Sequence, residues 1–405
     1  MNIFLILALA MLIIILLLRR HVPIGPAILT AGFFIWACSA PKFSYLVSAL
    51  TETFTAYRTY DLIFALYFVM CLEIELRTGG ILDDLVLSLH RLLKSPRLTL
   101  AIMPAFLGLL PSLGGARFSA PIVEMTAKGL GLTAEHKANI NFWFRHIFEF
   151  SSPIIPGMLM ACSIANIPFS QLLLHLAWVT PLFFAIGWLV LMRKIKILPL
   201  QDKKSSRINV MQELRNIAFA IAPVAANFIL ITVFDFTAAA AMALVVFVTI
   251  FVLRFTNHVL NIKEVFGGAC DLKMLLNIVC IFYFIQILTD TGVLQLIVSE
   301  FQKSPLPAPA IVAAVSFIIG VLTGMSQGHV AIVMPVVAAM SPGNLTLAGI
   351  AMVFGVAGQM LTPTHMCLIV TLDYFKANYF KMLPQLCLMS ALLLAIFSIV
   401  TYFNG

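Results

Sequence analysis

Ser112-x-Gly114 leading to Pro121 and Ser326-x-Gly328 leading to Pro335 are one element written twice, 214 positions apart and inside hydrophobic sequence. Beyond each lies a hydroxyl-proline element, Ser151-Ser152-Pro153 in the first case and Thr362-Pro363-Thr364 in the second. Glycine lets a backbone approach a ligand closely, and a helix starting after each Ser/Gly tip aims its N-terminal amides at it, which is chemistry for anions. Proline does the opposite. Pro153 cannot donate to the carbonyl of Glu149, nor Pro363 to that of Gln359, and the residue before each proline is pushed out of helical geometry. The freed carbonyls, beside the hydroxyls of Ser151, Ser152, Thr362 and Thr364, are oxygen ligands of the kind a hard cation such as sodium takes.

Ionisable residues in apolar sequence are costly and are functional candidates by default. Arg117, just past the first tip, either holds a carboxylate bidentately or locks the carbonyls of its own hairpin. Glu124 follows two helical turns later, as a proton carrier, an ion-pair partner or a residue of the interface. Arg145 and Glu149 read as i, i+4 neighbours on one helix, a structural ion pair unless Glu149 carries a coupling proton. In the second half Ala331, Ala338 and Gln359 stand where Arg117, Glu124 and Glu149 do in the first, while His329 and His365 are new. The substrate set is then Ser112, Gly114, Gly115 and Arg117 with Ser326, Gln327, Gly328, His329, Thr364 and His365. The coupling-ion set is Glu149, Ser151, Ser152, Gln359 and Thr362.

Such residues need a bilayer-spanning scaffold, and the composition supplies one. With 61% hydrophobic and 10% charged residues, the 405-residue chain is far from a soluble domain. Residues 3–18 read as a retained first helix rather than a signal peptide, since no positive residue precedes them and Arg19-Arg20 follow. Apolar segments of spanning length fall near 2–18, 22–40, 60–76, 138–165, 170–192, 216–234, 236–253, 274–290, 345–372 and 380–402. Two further stretches, 98–132 and 308–342, are interrupted by the Ser/Gly tips and read as re-entrant hairpins, each preceded by an amphipathic stretch, 80–95 and 292–303.

Other offsets agree with the repeat: Gly80 answers Gly292, and Lys94-Ser95-Pro96 answers Lys303-Ser304-Pro305. The expectation is two repeats, 1–192 and 216–405, joined by a basic linker, 193–215. With the N-terminus outside, 20 of the 25 basic residues fall on the cytoplasmic side and only Lys42, Arg58 and Lys303 outside. Five spans per repeat is odd, so the second repeat is inverted and both termini are extracytoplasmic. The net charge of +8 belongs to the cytoplasmic face and calls for no nucleic-acid partner. The seven cysteines form no CxxC and suggest neither disulfides nor a metal site.

Enzyme signatures are missing. There is no GxxxxGK[ST] loop and no HExxH, and His146-x-x-Glu149 has no evident third ligand. Interrupted hydrophobic segments at corresponding positions of two halves point instead to the central site of a secondary transporter. The arrangement resembles the ion transporter superfamily of citrate, dicarboxylate, gluconate and arsenite carriers, and PSLGGARFSAP at 111–121 resembles an uncharacterised prokaryotic membrane-protein family within it. That resemblance implies a dimerising scaffold, hence a homodimer, and a transport domain holding substrate between the tips with sodium or protons as coupling ion. The Ser-Asn-Thr tips typical of the dicarboxylate carriers are absent, so neither that specificity nor sodium coupling carries over.

The expectation is an all-α inner-membrane carrier of a small organic anion, without an organic cofactor, with sodium as the one candidate bound ion. The rivals are an intramembrane enzyme built on the same polar centre, and a passive channel or non-transporting subunit.

Overall fold

The computed structural model describes residues 3–93, 95–109, 115–193, 195, 209–256 and 260–404. They form α1 (Ile3–Arg19), α2 (Ile24–Ser39), α3 (Phe43–Thr55), α4 (Tyr57–Thr78), α5 (Ile81–Leu92), α6 (Pro96–Gly108), α7 (Gly115–Thr126), α8 (Ala134–Arg145), α9 (Pro156–Ala165), α10 (Phe169–Leu176) and α11 (Val179–Gly187), the last continuing as a π-helical turn to Met192. Then come α12 (Val210–Thr232), α13 (Ala238–Leu253), α14 (Ile262–Gly268), α15 (Leu272–Asp290), α16 (Val293–Gln302), α17 (Ala308–Thr323), α18 (Ser326–Met340), α19 (Leu345–Met360), α20 (Met366–Phe375) and α21 (Tyr379–Asn404). Among the described residues there is no strand. Among the described residues four stretches, Phe169–Met192, Val210–Thr232, Ile262–Asp290 and Tyr379–Phe403, are long and apolar enough to cross a membrane, and the other apolar helices found there are shorter. The chain is an all-helical, multi-pass membrane protein.

Two compact units result, and each draws on both halves of the sequence. The first comprises Met1–Tyr67, Leu159–Leu172 and Cys270–Thr362; the second comprises Phe68–Met158, Leu173–Ala269 and Pro363–Gly405. Paired features recur between them. Gly80 and Gly292 both sit at positive φ, 77° and 72°, and each caps an amphipathic helix, α5 or α16. A left-handed N-cap is strained for most residues and open to glycine, which is why these two positions hold it.

Small residues then let helices meet backbone to backbone. In the first unit, a Cβ on Gly320 of α17 would collide with the carbonyl of Gly355 on α19. In the second, a Cβ on Gly108 of α6 would collide with the carbonyl of Arg145 at the end of α8. The offsets are 212 and 210, those of the sequence repeat. Each unit therefore lays the first helix of a Ser/Gly pair directly on a helix that stops short. Gly320→Ala and Gly108→Ala are expected to cost about 1–3 kcal/mol each by overpacking, whereas Gly267→Ala, with open space around it, should be neutral or slightly stabilising. Thermal midpoints of the purified protein check this; equal midpoints for all three variants would contradict it.

Elsewhere in the second unit polar contacts fix the packing. Asn139 Nδ2 donates to Gln385 Oε1 at 2.6 Å and Asn141 Nδ2 to Thr371 Oγ1 at 3.2 Å, tying α8 to α21 and α20. Trp143 stacks on Phe183 at 3.9 Å between centroids, and its Nε1 donates to the Phe183 carbonyl.

Candidate functional site

The chain leaves helical geometry at both hydroxyl-proline elements. After α8 the residues from His146 to Ile155 run as turns until α9 starts at Pro156; after α19, Leu361 to His365 do the same until α20. The first break begins earlier than the prolines alone require. The His146 amide turns back on the Trp143 and Phe144 carbonyls, so α8 ends at Arg145. Arg145 and Glu149 are thus not i, i+4 neighbours on one helix, as the spacing suggested; Glu149 lies in the turn.

Within the second unit these turns gather a buried polar cluster. Arg145 Nη1 donates to the Leu107 carbonyl at 3.0 Å, in the last turn of α6. Arg145 thus locks a carbonyl at the end of α6; the alternatives weighed for Arg117 fall on a side chain outside the description. The Arg145 guanidinium also hydrogen-bonds the Cys367 side chain and faces Glu149 electrostatically. His146 Nδ1 lies 2.7 Å from the Phe142 carbonyl, which can only accept, so Nδ1 carries the proton. His146 Nε2 then presents its lone pair to His365 Nε2 at 3.1 Å, which donates. Phe142 stands edge-on to both imidazoles. The ligand atoms of His146, His365 and Cys367 all lie within 4.8 Å of one another.

The first unit has a different polar centre. His329 on α18 is fully buried and engaged by the Met325 backbone, yet among the described residues neither ring nitrogen completes a well-formed hydrogen bond, nor does either side-chain polar atom of Gln359 or Ser316 Oγ. They converge: the His329 ring lies where a Cβ on Gly355 would be, Gln359 is one turn beyond Gly355 on the same face of α19, and Ser316 is one turn before Gly320 on the face of α17 that meets it. By the repeat offsets, Gly355 holds the position of Arg145 and His329 that of Gly115. The bulky basic group comes from the hairpin helix in one unit and from the interrupted helix in the other.

Ser326, Gln327 and Gly328 form the first turn of α18, with Gly328 against the Thr323 side chain and Gly324 at φ 67° making the tip. Ser112 and Gly114 lie outside the described residues. Gly115 opens α7 and Arg117 sits in its first turn, with side chains there outside the description. Ser151 Oγ pairs with Thr180 Oγ1 at 2.6 Å, and Ser152 Oγ accepts weakly from the Ile154 amide at 3.5 Å. Thr362 is buried and Thr364 exposed. Glu124, far from being buried, pairs with Lys137 at 2.5 Å and is 47% exposed. Gln359 and Thr362 belong to the first unit; Glu149, Ser151, Ser152, Thr364 and His365 to the second.

Three residues take places that the sequence reading did not give them: His146 and the cysteines are set aside there as metal ligands, and Glu75 is not singled out. His146 and Cys367 lie more than 200 positions apart, a contact no local pattern reveals. Glu75 on α4 is fully buried, with neither carboxyl oxygen partnered among the described residues; the run Leu72-Glu73-Ile74-Glu75-Leu76 does not say which carboxyl the fold covers. A cleft of about 440 Å³ lined by Asp84, Arg215 and Asn216 among others lies in the second unit and contains none of the candidate residues.

The sequence model of a family described as "Protein of unknown function (DUF401)" matches residues 3–403. No curated protein matches. Among solved structures, the YdaH transporter of Alcanivorax borkumensis, described as having an unusual topology, is similar with a TM-score of 0.62 and 13% identity, over 89% of this chain and 88% of that one. At that identity the likeness is one of fold.

Proposed function

We propose that this chain, which belongs to the DUF401 family of proteins of unknown function, is a secondary active transporter. It moves a small organic anion, a carboxylate, across the inner membrane by alternating access. The observation that carries this reading is the repeated device described above: in each unit a Ser/Gly helix pair lies glycine-on-carbonyl against a helix that stops within apolar sequence. Non-helical backbone at membrane depth persists only where protein buries it or water lines it, and such half-helices hold substrate and coupling ions in transporters. The shared fold with the YdaH transporter supports the same reading, as does the resemblance to the ion transporter superfamily.

The repeats are inverted, α6–α7 and α17–α18 are re-entrant, and both termini are extracytoplasmic with 193–215 in the cytoplasm; the chain works as a homodimer. Substrate sits against Ser112, Gly114, Gly115 and Arg117 from one tip and Ser326, Gln327, Gly328 and His329 from the other, with Thr364 and His365 at the second break. Glu149, Ser151, Ser152, Gln359 and Thr362 serve the coupling ion, which is a proton or sodium. The engaged hydroxyl of Ser151 favours protons, since hydroxyls and carbonyls cannot titrate and a carboxyl or imidazole can. Glu75 joins Glu149, His329 and His365 as a proton carrier, and the exposed pairing of Glu124 with Lys137 removes it from that group.

A thermal-shift screen of small carboxylates, with and without sodium, tests this. A ligand at 100 times its Kd stabilises the folded state by about 2.7 kcal/mol. Arg117→Lys keeps the charge and loses the planar fork, so the responding carboxylate should bind about 1–3 kcal/mol more weakly. Stabilisation by cationic or neutral solutes alone would contradict the assignment.

A further inference from the structure

We propose that His146, His365 and Cys367 form a binding site for a single borderline-to-soft metal ion, of which zinc is the working example, that clamps the end of α8 to the start of α20. Two imidazoles and a thiol are the donor set such an ion takes, and they disfavour the hard cations served by hydroxyls and carbonyls. The site is distinct from any sodium cage at the hydroxyl-proline elements; it shares His365 with the carboxylate site proposed above and uses none of that site's other residues.

The geometry is close to what a tetrahedral ion requires. Zinc–nitrogen bonds of about 2.0–2.1 Å put two ligand nitrogens about 3.3 Å apart; His146 Nε2 and His365 Nε2 are 3.1 Å apart. All three ligand atoms lie within 4.8 Å of one another, against about 3.5 Å between a nitrogen and a sulfur bound to one tetrahedral zinc, so binding draws the sulfur in by at most about 1.3 Å. His146 and His365 are buried, so the ion would be shielded on their side. The orientation is set from outside. His146 Nδ1–H donates to the Phe142 carbonyl at 2.7 Å, the contact that fixes the tautomer of a ligating histidine and leaves Nε2 free to bind. Arg145 hydrogen-bonds the Cys367 side chain and so helps to orient its sulfur.

On binding, the Cys367 thiol releases its proton to solvent, and the proton of His365 moves from Nε2 to Nδ1. Both imidazoles stay neutral, and each gives one lone pair to the ion. The ion replaces the direct imidazole–imidazole hydrogen bond by two metal–nitrogen bonds, joining helices from opposite halves of the sequence within one unit.

The full-length protein, purified in detergent and stripped with a chelator, is titrated with zinc alone and then with cobalt. About one zinc per chain is expected, with a thiolate-to-cobalt charge-transfer band in the cobalt form. Cys367→Ser, which preserves size, should abolish that band and weaken zinc binding by at least about 10- to 100-fold, the cost of losing even an outer partner of a ligand. His146→Gln should do the same to affinity. The proposal is overturned if the stripped protein takes up no zinc, or if Cys367→Ser, eluting as a monodisperse species, binds zinc with unchanged affinity.

Discussion

Gln359→Met and His329→Leu are expected to make the protein more stable and to stop it transporting. Among the described residues, every side-chain polar atom of these two residues is buried and without a well-formed hydrogen bond, the Met325 backbone engaging His329 only weakly. A buried unsatisfied group costs about 1–3 kcal/mol, while an apolar replacement of similar shape is neutral or favourable. The unliganded form should therefore gain stability of that order. Uptake should fall at least about 10-fold, since each lost hydrogen bond to a ligand or its water costs on the order of 1.4 kcal/mol, a factor of ten. Opposite signs for stability and activity mark groups held for a ligand. Midpoints that drop together with uptake would make His329 and Gln359 packing residues instead.

Arg145→Ala is expected to prevent the protein from accumulating. Arg145 is 6% exposed, and its guanidinium serves the Leu107 carbonyl and the Cys367 side chain, with Glu149 in its field. Removing it leaves the buried Leu107 carbonyl without this donor, a cost of about 1–3 kcal/mol, and opens a cavity worth about 2–5 kcal/mol more, a large part of the about 5–15 kcal/mol by which proteins are stable. Arg145→Met with Glu149→Gln removes both charges together and should recover much of the folded yield. Yield of monodisperse protein decides it: an Arg145→Ala variant recovered at the parental level and midpoint would show that the arginine holds nothing together.

What the sequence revealed and what it hid follow from the range of the interactions. Gly80 and Gly292 were visible as a pair because a left-handed cap restricts residue type at one position. The interruptions at Ser152-Pro153 and Thr362-Pro363 were visible because proline acts on its own helix. The early end of α8 was not, since the turn at His146 is set by bonds to Trp143 and Phe144 that any residue makes; reading through it turned Arg145 and Glu149 into helical neighbours. The hydroxyl partner of Ser151 is Thr180 on α11, and the ring partner of His146 is His365, 219 positions away. Such contacts belong to tertiary packing and leave no periodicity behind. Glu75 was hidden for a related reason: burial of a single side chain depends on what covers it, and Leu72-Glu73-Ile74-Glu75-Leu76 offers two carboxyls with nothing to tell them apart.

The most direct measurement is uptake into proteoliposomes of a carboxylate that stabilises the purified protein, with an imposed pH gradient, a sodium gradient or neither. A proton-coupled carrier accumulates the carboxylate above its external concentration only under the pH gradient, and a protonophore collapses that accumulation. Equilibration with the external concentration but never above it, whichever gradient is imposed, would identify a passive pore and contradict the account.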